Sequence, residues 1–196
     1  MEIIISKAMR FISKDKDFDE DKEEIIRYGL EIMITKTLFA VVIVVIGLLM
    51  MCFWESVVFA MSFTLLREYG GGYHAETRKK CFVLSILTLI ASLSIIKLAE
   101  NFQVLTLPIC VVAFISVIYI LIKAPIDTPN KRFDEDEIRV YGRKARLLTV
   151  VLLAVVLLLW ILKLSDFAVT VLTGIIVEAY LMLKGQISNY INREEV

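Results

Sequence analysis

The chain has 196 residues, 58% of them apolar, and its 22 basic and 22 acidic side chains cancel to a formal net charge of zero. A mean hydropathy of +0.75 excludes an ordinary soluble domain, in which roughly half of the residues are apolar. With no excess of basic charge, a nucleic-acid partner is excluded as well.

The predicted architecture is all-α: a polytopic membrane helical bundle of about six apolar segments, some of them short enough to be re-entrant, preceded by an amphipathic N-terminal helix. At the amino terminus Ile4, Ala8, Phe11 and Ile12 recur at helical spacing with Lys7, Arg10 and Lys14 between them, the pattern of a helix lying on a membrane surface. The start lacks the basic stretch, apolar core and small-residue site of a cleavable signal, so insertion is expected from internal segments. Residues 15–24 read as a charged connector. A second stripe, Ile25, Ile26, Gly29, Ile32 and Met33, runs toward the first spanning helix.

The apolar stretches cover residues 37–53, 56–66, 82–96, 102–122, 147–162 and 167–183. Only the fourth reaches the ~20 residues that span a hydrocarbon core comfortably. Residues 56–66 are the shortest, and read as either a re-entrant segment or a spanning helix that takes in Trp54, Glu55 and Arg67 at its ends. The chain thus divides into an amphipathic and charged region over 1–36, a membrane bundle over 37–183 and a tail over 184–196, all within one membrane domain.

Lysines and arginines number seven before Thr37, four from Arg67 to Lys80, seven from Lys123 to Arg146 and two after Leu183, against none, one and one in the intervening connections. Basic loops resist translocation. The alternation predicts six crossings of the cell membrane with both termini in the cytoplasm, and puts residues 67–81 at the cytoplasmic face.

That segment holds the single histidine, His74, and ends at Cys81. The reactive form of cysteine is the thiolate, favoured by a nearby imidazole, cations or a helix amino terminus. His74, the run Arg78, Lys79 and Lys80, and the start of the apolar helix at Phe82 supply all three in sequence around Cys81. Cys52 and Cys110 lie in or beside apolar runs without such neighbours, and the wide spacing gives no disulfide framework. One histidine and no Cys-x-x-Cys pair leave no zinc site; no metal and no cofactor are expected. Seven residues on a straight helix would put His74 and Cys81 on one face but roughly 10 Å apart, beyond proton-transfer reach. The helix is therefore expected to break, with Gly70, Gly71 and Gly72 letting His74 fold back and offering backbone N–H groups as an oxyanion site.

The string Arg67-x-x-x-Gly71-Gly72-x-His74-Ala75-x-x-x-x-x-Cys81 resembles the signature of the accessory gene regulator B (AgrB-like) family, membrane cysteine endopeptidases that process quorum-sensing peptide precursors. Ala124-Pro125-Ile126-Asp127-Thr128-Pro129-Asn130-Lys131 resembles a later loop of that family, which often continues with proline where this chain has Arg132. The resemblance implies that Cys81 attacks a backbone carbonyl of a short AgrD-like precursor with His74 as base and then acid, and that the acyl group is captured by the peptide's own side chain to give a thiolactone or lactone signal.

It further implies a homodimer, and a precursor with an amphipathic amino-terminal region and an acidic tail. Arg78, Lys79 and Lys80, with Arg139, Arg143, Lys144 and Arg146, are expected to attract that tail, or only to enforce topology. Arg67, Gly71 and Gly72 are assigned to positioning the loop or the peptide. Glu178, inside the last apolar stretch, reads either as a third member orienting His74 or as a partner of Lys184; Asp127 is the alternative partner for a cation in the loop. The competing function is a non-enzymatic membrane scaffold or small exporter subunit in which the glycines are only a bend.

Overall fold

The computed structural model describes residues 2–12, 19–73, 75, 77–127 and 133–194. Seven α-helices are present among them: α1 Glu2–Ile12, α2 Glu20–Leu49, α3 Phe53–Gly70, α4 Arg78–Asn101, α5 Thr106–Lys123, α6 Glu135–Ile161 and α7 Ser165–Glu194. A single parallel bridge between Gly71 and Ile126 is the one β interaction among the described residues. Met1–Val42 and Ile43–Val196 form two compact units.

In the first unit, among the α1 side chains that the structure describes, Ile5 and Met9 are buried and Ile12 is exposed. The charged connector is shorter than 15–24, since α2 has already begun at Glu20 and continues without a break through the stripe of Ile25 and Met33.

Five helices, all but α1 and α3, are long and apolar enough to cross a membrane. The short apolar runs underestimated them. Residues 82–96 lie within the 24-residue α4, ~36 Å long, because Arg78, Lys79 and Lys80 start the helix and Lys97 to Asn101 finish it. Residues 56–66 lie within α3, an unbroken helix of 18 residues that takes in Trp54, Glu55 and Arg67; it is not a re-entrant hairpin. Residues 102–122 are interrupted at their start, where Gln103–Leu105 forms a 3-10 turn before α5. Residues 184–196, expected as a tail, are largely helical, as α7 continues to Glu194.

Local chemistry sets these boundaries. Thr77 caps α4, its Oγ1 accepting from the Lys80 N–H at 3.2 Å. Asp134 opens α6 with a capping box in which the Glu137 side chain accepts from the Asp134 N–H at 3.1 Å, and Glu135, Asp136 and Glu137 place negative charge at the positive end of the helix dipole.

In the second unit α7 is the central helix. Of its apolar window 67% is buried, against 22% to 28% for α4, α5 and α6, and α3, α4, α5 and α6 all pack on it. Ile175, Ala179 and Met182 of α7 meet Leu66, Ile120, Ala145 and Val156 in the main core; Cys52, Phe59, Leu89 and Leu93 form a second cluster with Ile43 and Ile46. Lipid-facing helices gain little from hydrophobic transfer, so close packing of small residues carries their association. Gly47 abuts Ser56 and Gly174 abuts Ser62 so tightly that neither glycine has room for a Cβ. Buried hydroxyls stay satisfied within their own helix, as when Thr149 donates to the Ala145 carbonyl and Thr173 to the Val169 carbonyl.

Candidate active site

The chain leaves the helix after Gly70 and re-enters one at Arg78, so the break expected between His74 and Cys81 is present. His74 itself lies outside the described residues, as do Glu76 and residues 128–132 of the second loop.

The glycine segment is held on two sides. Gly72 N–H donates to the Ile126 carbonyl at 2.8 Å and Ile126 N–H donates to the Gly70 carbonyl at 2.9 Å, while Tyr73 N–H donates to the Leu181 carbonyl at 2.9 Å. Gly71 and Gly72 adopt φ of +75° and +92°, a region glycine enters without steric cost. Space is equally restrictive. A Cβ on Gly71 would strike the Ile126 carbonyl, and one on Gly72 would stand 2.8 Å from Met182 backbone atoms. The amides of Gly72 and Tyr73 are thus already committed, and cannot serve as the oxyanion donors expected from the glycine run. Their donors are spent on docking the segment between the residue after cis-Pro125 and α7.

Arg67 lies in the last turn of α3, from which its guanidinium reaches forward along the departing chain. Nη1 donates to the Gly71 carbonyl and Nη2 to the Tyr73 carbonyl. A planar fork suits two converging acceptors in a way an ammonium does not. Arg67 thus ties the end of α3 to the backbone of the loop that follows it.

Behind it stands Glu178. It is completely buried, its Oε1 lies 3.9 Å from Arg67 Nη1, and neither carboxylate oxygen has a hydrogen-bond partner among the described residues. The pairing expected with Lys184 is not formed: Lys184 Nζ instead lies 3.9 Å from the centre of the Tyr73 ring, a cation–π contact. Gly70 makes room for the carboxylate, since a Cβ there would stand 2.5 Å from Glu178 Oε1. Asp127 is exposed, and its carbonyl accepts from Asn189 Nδ2 at 2.7 Å.

Cys81 is half-buried, in the first turn of α4. Because the helix begins four residues before the apolar run, Cys81 N–H already donates to the Thr77 carbonyl at 3.0 Å. The open N–H groups of the helix start belong to the residues before it, so the sulfur sits one turn inside the dipole's end instead of on it. Cys52 is 2% exposed, and burial pushes its thiol up, which disfavours the reactive form. Among the described residues no group of three His, Cys, Asp or Glu is arranged to hold a metal ion.

The basic cluster on α6 divides by role. Arg146 Nε donates to the Leu121 carbonyl at 3.0 Å and Nη2 to the Ala124 carbonyl at 3.4 Å, so it ties α6 to the end of α5. Lys144 Nζ lies 4.9 Å from the centre of the Tyr69 ring. Sequence reasoning missed Gly185 and gave Ile126, inside the second motif, no role; both shape the loop through their backbone. Gly185, lone and inside a helical run, was the available signal for a close backbone approach.

The family described as accessory gene regulator B matches residues 5–182 of the chain. An AgrB-like protein of Clostridium perfringens (strain SM101 / Type A) is 31% identical over 125 residues, covering 61% of this chain and 58% of the relative. AgrB-like protein 1 of Clostridium perfringens (strain 13 / Type A) is 28% identical over 126 residues, or 64% and 66% of the two chains. The accessory gene regulator protein B of Staphylococcus aureus (strain Newman) is 25% identical over 179 residues, 91% of each chain. The matched stretch thus spans less than two thirds of the clostridial relatives and nearly all of the staphylococcal one. No solved structure matches the chain.

Proposed function

Since the chain belongs to the accessory gene regulator B family, we propose that it is a multi-pass membrane cysteine endopeptidase that cleaves a short precursor peptide and passes the acyl group to a side chain of that peptide. The observation that carries this reading is the arrangement around the helix break. A half-buried thiol opens the helix after a loop whose backbone is docked on both sides, and the histidine follows Tyr73, the last docked residue.

In this mechanism His74 takes the Cys81 proton and the thiolate adds to a precursor carbonyl. The tetrahedral adduct collapses with cleavage of the C–N bond, and His74 returns the proton to the departing amine, leaving a thioester on Cys81. A thiol of the peptide, its proton taken by His74, then displaces Cys81 and closes the thiolactone; Cys81 leaves as thiolate and regains the proton. With Gly72 and Tyr73 amides occupied, oxyanion stabilisation falls to groups other than these two. Glu178 serves this site by facing Arg67, and Asp127 does not enter the proton transfer. The bias of basic residues toward the loops at 67–80 and 123–146 supports a site facing the cytoplasm.

The test is co-expression with a precursor peptide encoded beside the protein. Cleavage is expected to disappear in Cys81→Ala and in His74→Ala at unchanged membrane levels. A thioester adduct on Cys81 should accumulate when the cyclising residue of the precursor is replaced. Undiminished cleavage in either variant would overturn the mechanism.

A further inference from the structure

A cleft of about 260 Å³ opens beside the docked loop. Pro125 and Ile126 give it apolar surface, Lys123 and Asp127 give it opposite charges, and Gln186, Asn189 and Tyr190 line it from α7. Ile126 is the same residue that bridges to Gly71, so the cleft adjoins the glycine segment directly.

The two amide side chains in this cleft are each fixed at one end. Tyr119 Oη donates to Gln186 Oε1 at 2.8 Å, and Asn189 Nδ2 donates to the Asp127 carbonyl at 2.7 Å. Those bonds set which way each amide faces. Gln186 Nε2 is left as a donor and Asn189 Oδ1 as an acceptor, neither with a protein partner among the described residues. Three positions apart on one helix, the two side chains share a face with Cβ atoms ~5–6 Å apart. Main-chain polar groups along one edge of an extended peptide repeat every two residues, about 6.6 Å. A carbonyl for Gln186 and an N–H for Asn189 are thus available from one peptide segment.

A lipid phosphate, the other ligand that Lys123 would attract at a membrane edge, fits less well. It offers acceptors alone, leaves Asn189 Oδ1 unmatched, and meets the carboxylate of Asp127.

We propose that this cleft binds an extended segment of the substrate peptide through its main chain, with Gln186 Nε2 donating to a peptide carbonyl and Asn189 Oδ1 accepting from a peptide N–H. Lys123 and Asp127 select the charges of the flanking side chains. The assignment rests on the endopeptidase reading, to which it adds a subsite outside the motif.

The experiment measures binding, with cleavage disabled by Cys81→Ala, in the full chain held in lipid nanodiscs. The probe is a fluorescein-labelled, end-capped octapeptide of alternating valine and threonine, with a second version N-methylated at every other residue. The unmodified probe is expected to bind and the N-methylated one about tenfold more weakly, the loss typical of a buried hydrogen bond left unmade. Gln186→Glu keeps an acceptor for Tyr119 but turns an oxygen toward the peptide carbonyl, and is also expected to weaken binding about tenfold. Lys123→Gln should weaken a probe ending in glutamates and leave the neutral one unchanged, a readout that a folding defect would not produce. Equal affinity for both probes, or full affinity in Gln186→Glu, would overturn the assignment, as would displacement of the probe by phosphatidylglycerol without any effect of N-methylation. Processing by the unsubstituted protein tests the endopeptidase reading separately, since probe binding does not depend on Cys81.

Discussion

Gly72 and Gly185 meet backbone to backbone: a Cβ on Gly185 would stand 2.9 Å from the Cα of Gly72 and 2.7 Å from the Tyr73 nitrogen. The loop after α3 is thereby pressed onto α7 with no side chain between them. An added methyl must move backbone on one side or the other. Gly185→Ala is expected to reduce precursor cleavage by at least tenfold while α7 still inserts. Gly72→Ala should be more severe, since its φ of +92° adds about 1–3 kcal/mol of backbone strain. Cleavage assays at matched membrane levels check both, and wild-type turnover in Gly185→Ala would show that this contact does not hold the loop.

Arg67 and Glu178 should behave as one unit. Residues in contact depart from additivity by about 0.5–3 kcal/mol. Glu178→Gln and Arg67→Lys are each expected to lower kcat for cleavage, and the double variant to be little worse than Arg67→Lys alone. Losses that multiply would mean that Glu178 acts by a route other than Arg67.

The thiols of Cys81 and Cys52 should separate by labelling. Cys81 is half-buried in the first turn of its helix, whereas Cys52 is 2% exposed with its thiol pushed up by burial. A water-soluble maleimide is expected to modify Cys81 in native membranes well before Cys52, and to stop processing as it does so. Modification of Cys52 at a comparable rate would contradict the packing around Phe59 and Leu89.

Arg146 spans two carbonyls at the end of α5, a geometry that a lysine ammonium cannot reproduce. Arg146→Lys should lower the midpoint of thermal unfolding by about 2–4 °C for each kcal/mol lost. Arg139→Gln and Arg143→Gln are expected to leave it unchanged and to alter only the salt dependence of precursor binding. Equal stability of all three variants would remove the structural role given to Arg146.

Much of the bundle was legible because apolar runs mark helices, and the Arg67-to-Cys81 string marked the family to which the chain belongs. Helix lengths were not, since α4 and α7 recruit charged residues such as Lys79, Lys97 and Lys184 at their ends, which a hydropathy pattern counts as loop. The partner of Glu178 was illegible for another reason. Its choice of Arg67 over Lys184 depends on how α3 and α7 meet, and a sequence carries no direct record of that pairing. Spacing demanded a break between His74 and Cys81, but it could not tell that Ile126 and Leu181 would occupy the amide donors of Gly72 and Tyr73.

The two supports of the loop are made at different stages of synthesis. Ile126 is made once α4 and α5 are complete, whereas Leu181, Glu178 and Gly185 belong to the last helix to be made. Until α7 is in place, Tyr73 has no acceptor for its N–H and Arg67 no buried carboxylate to face. The docked loop is thus a late product of assembly, and a chain stopped before α7 would present Cys81 on a helix preceded by a loop that α7 does not yet hold.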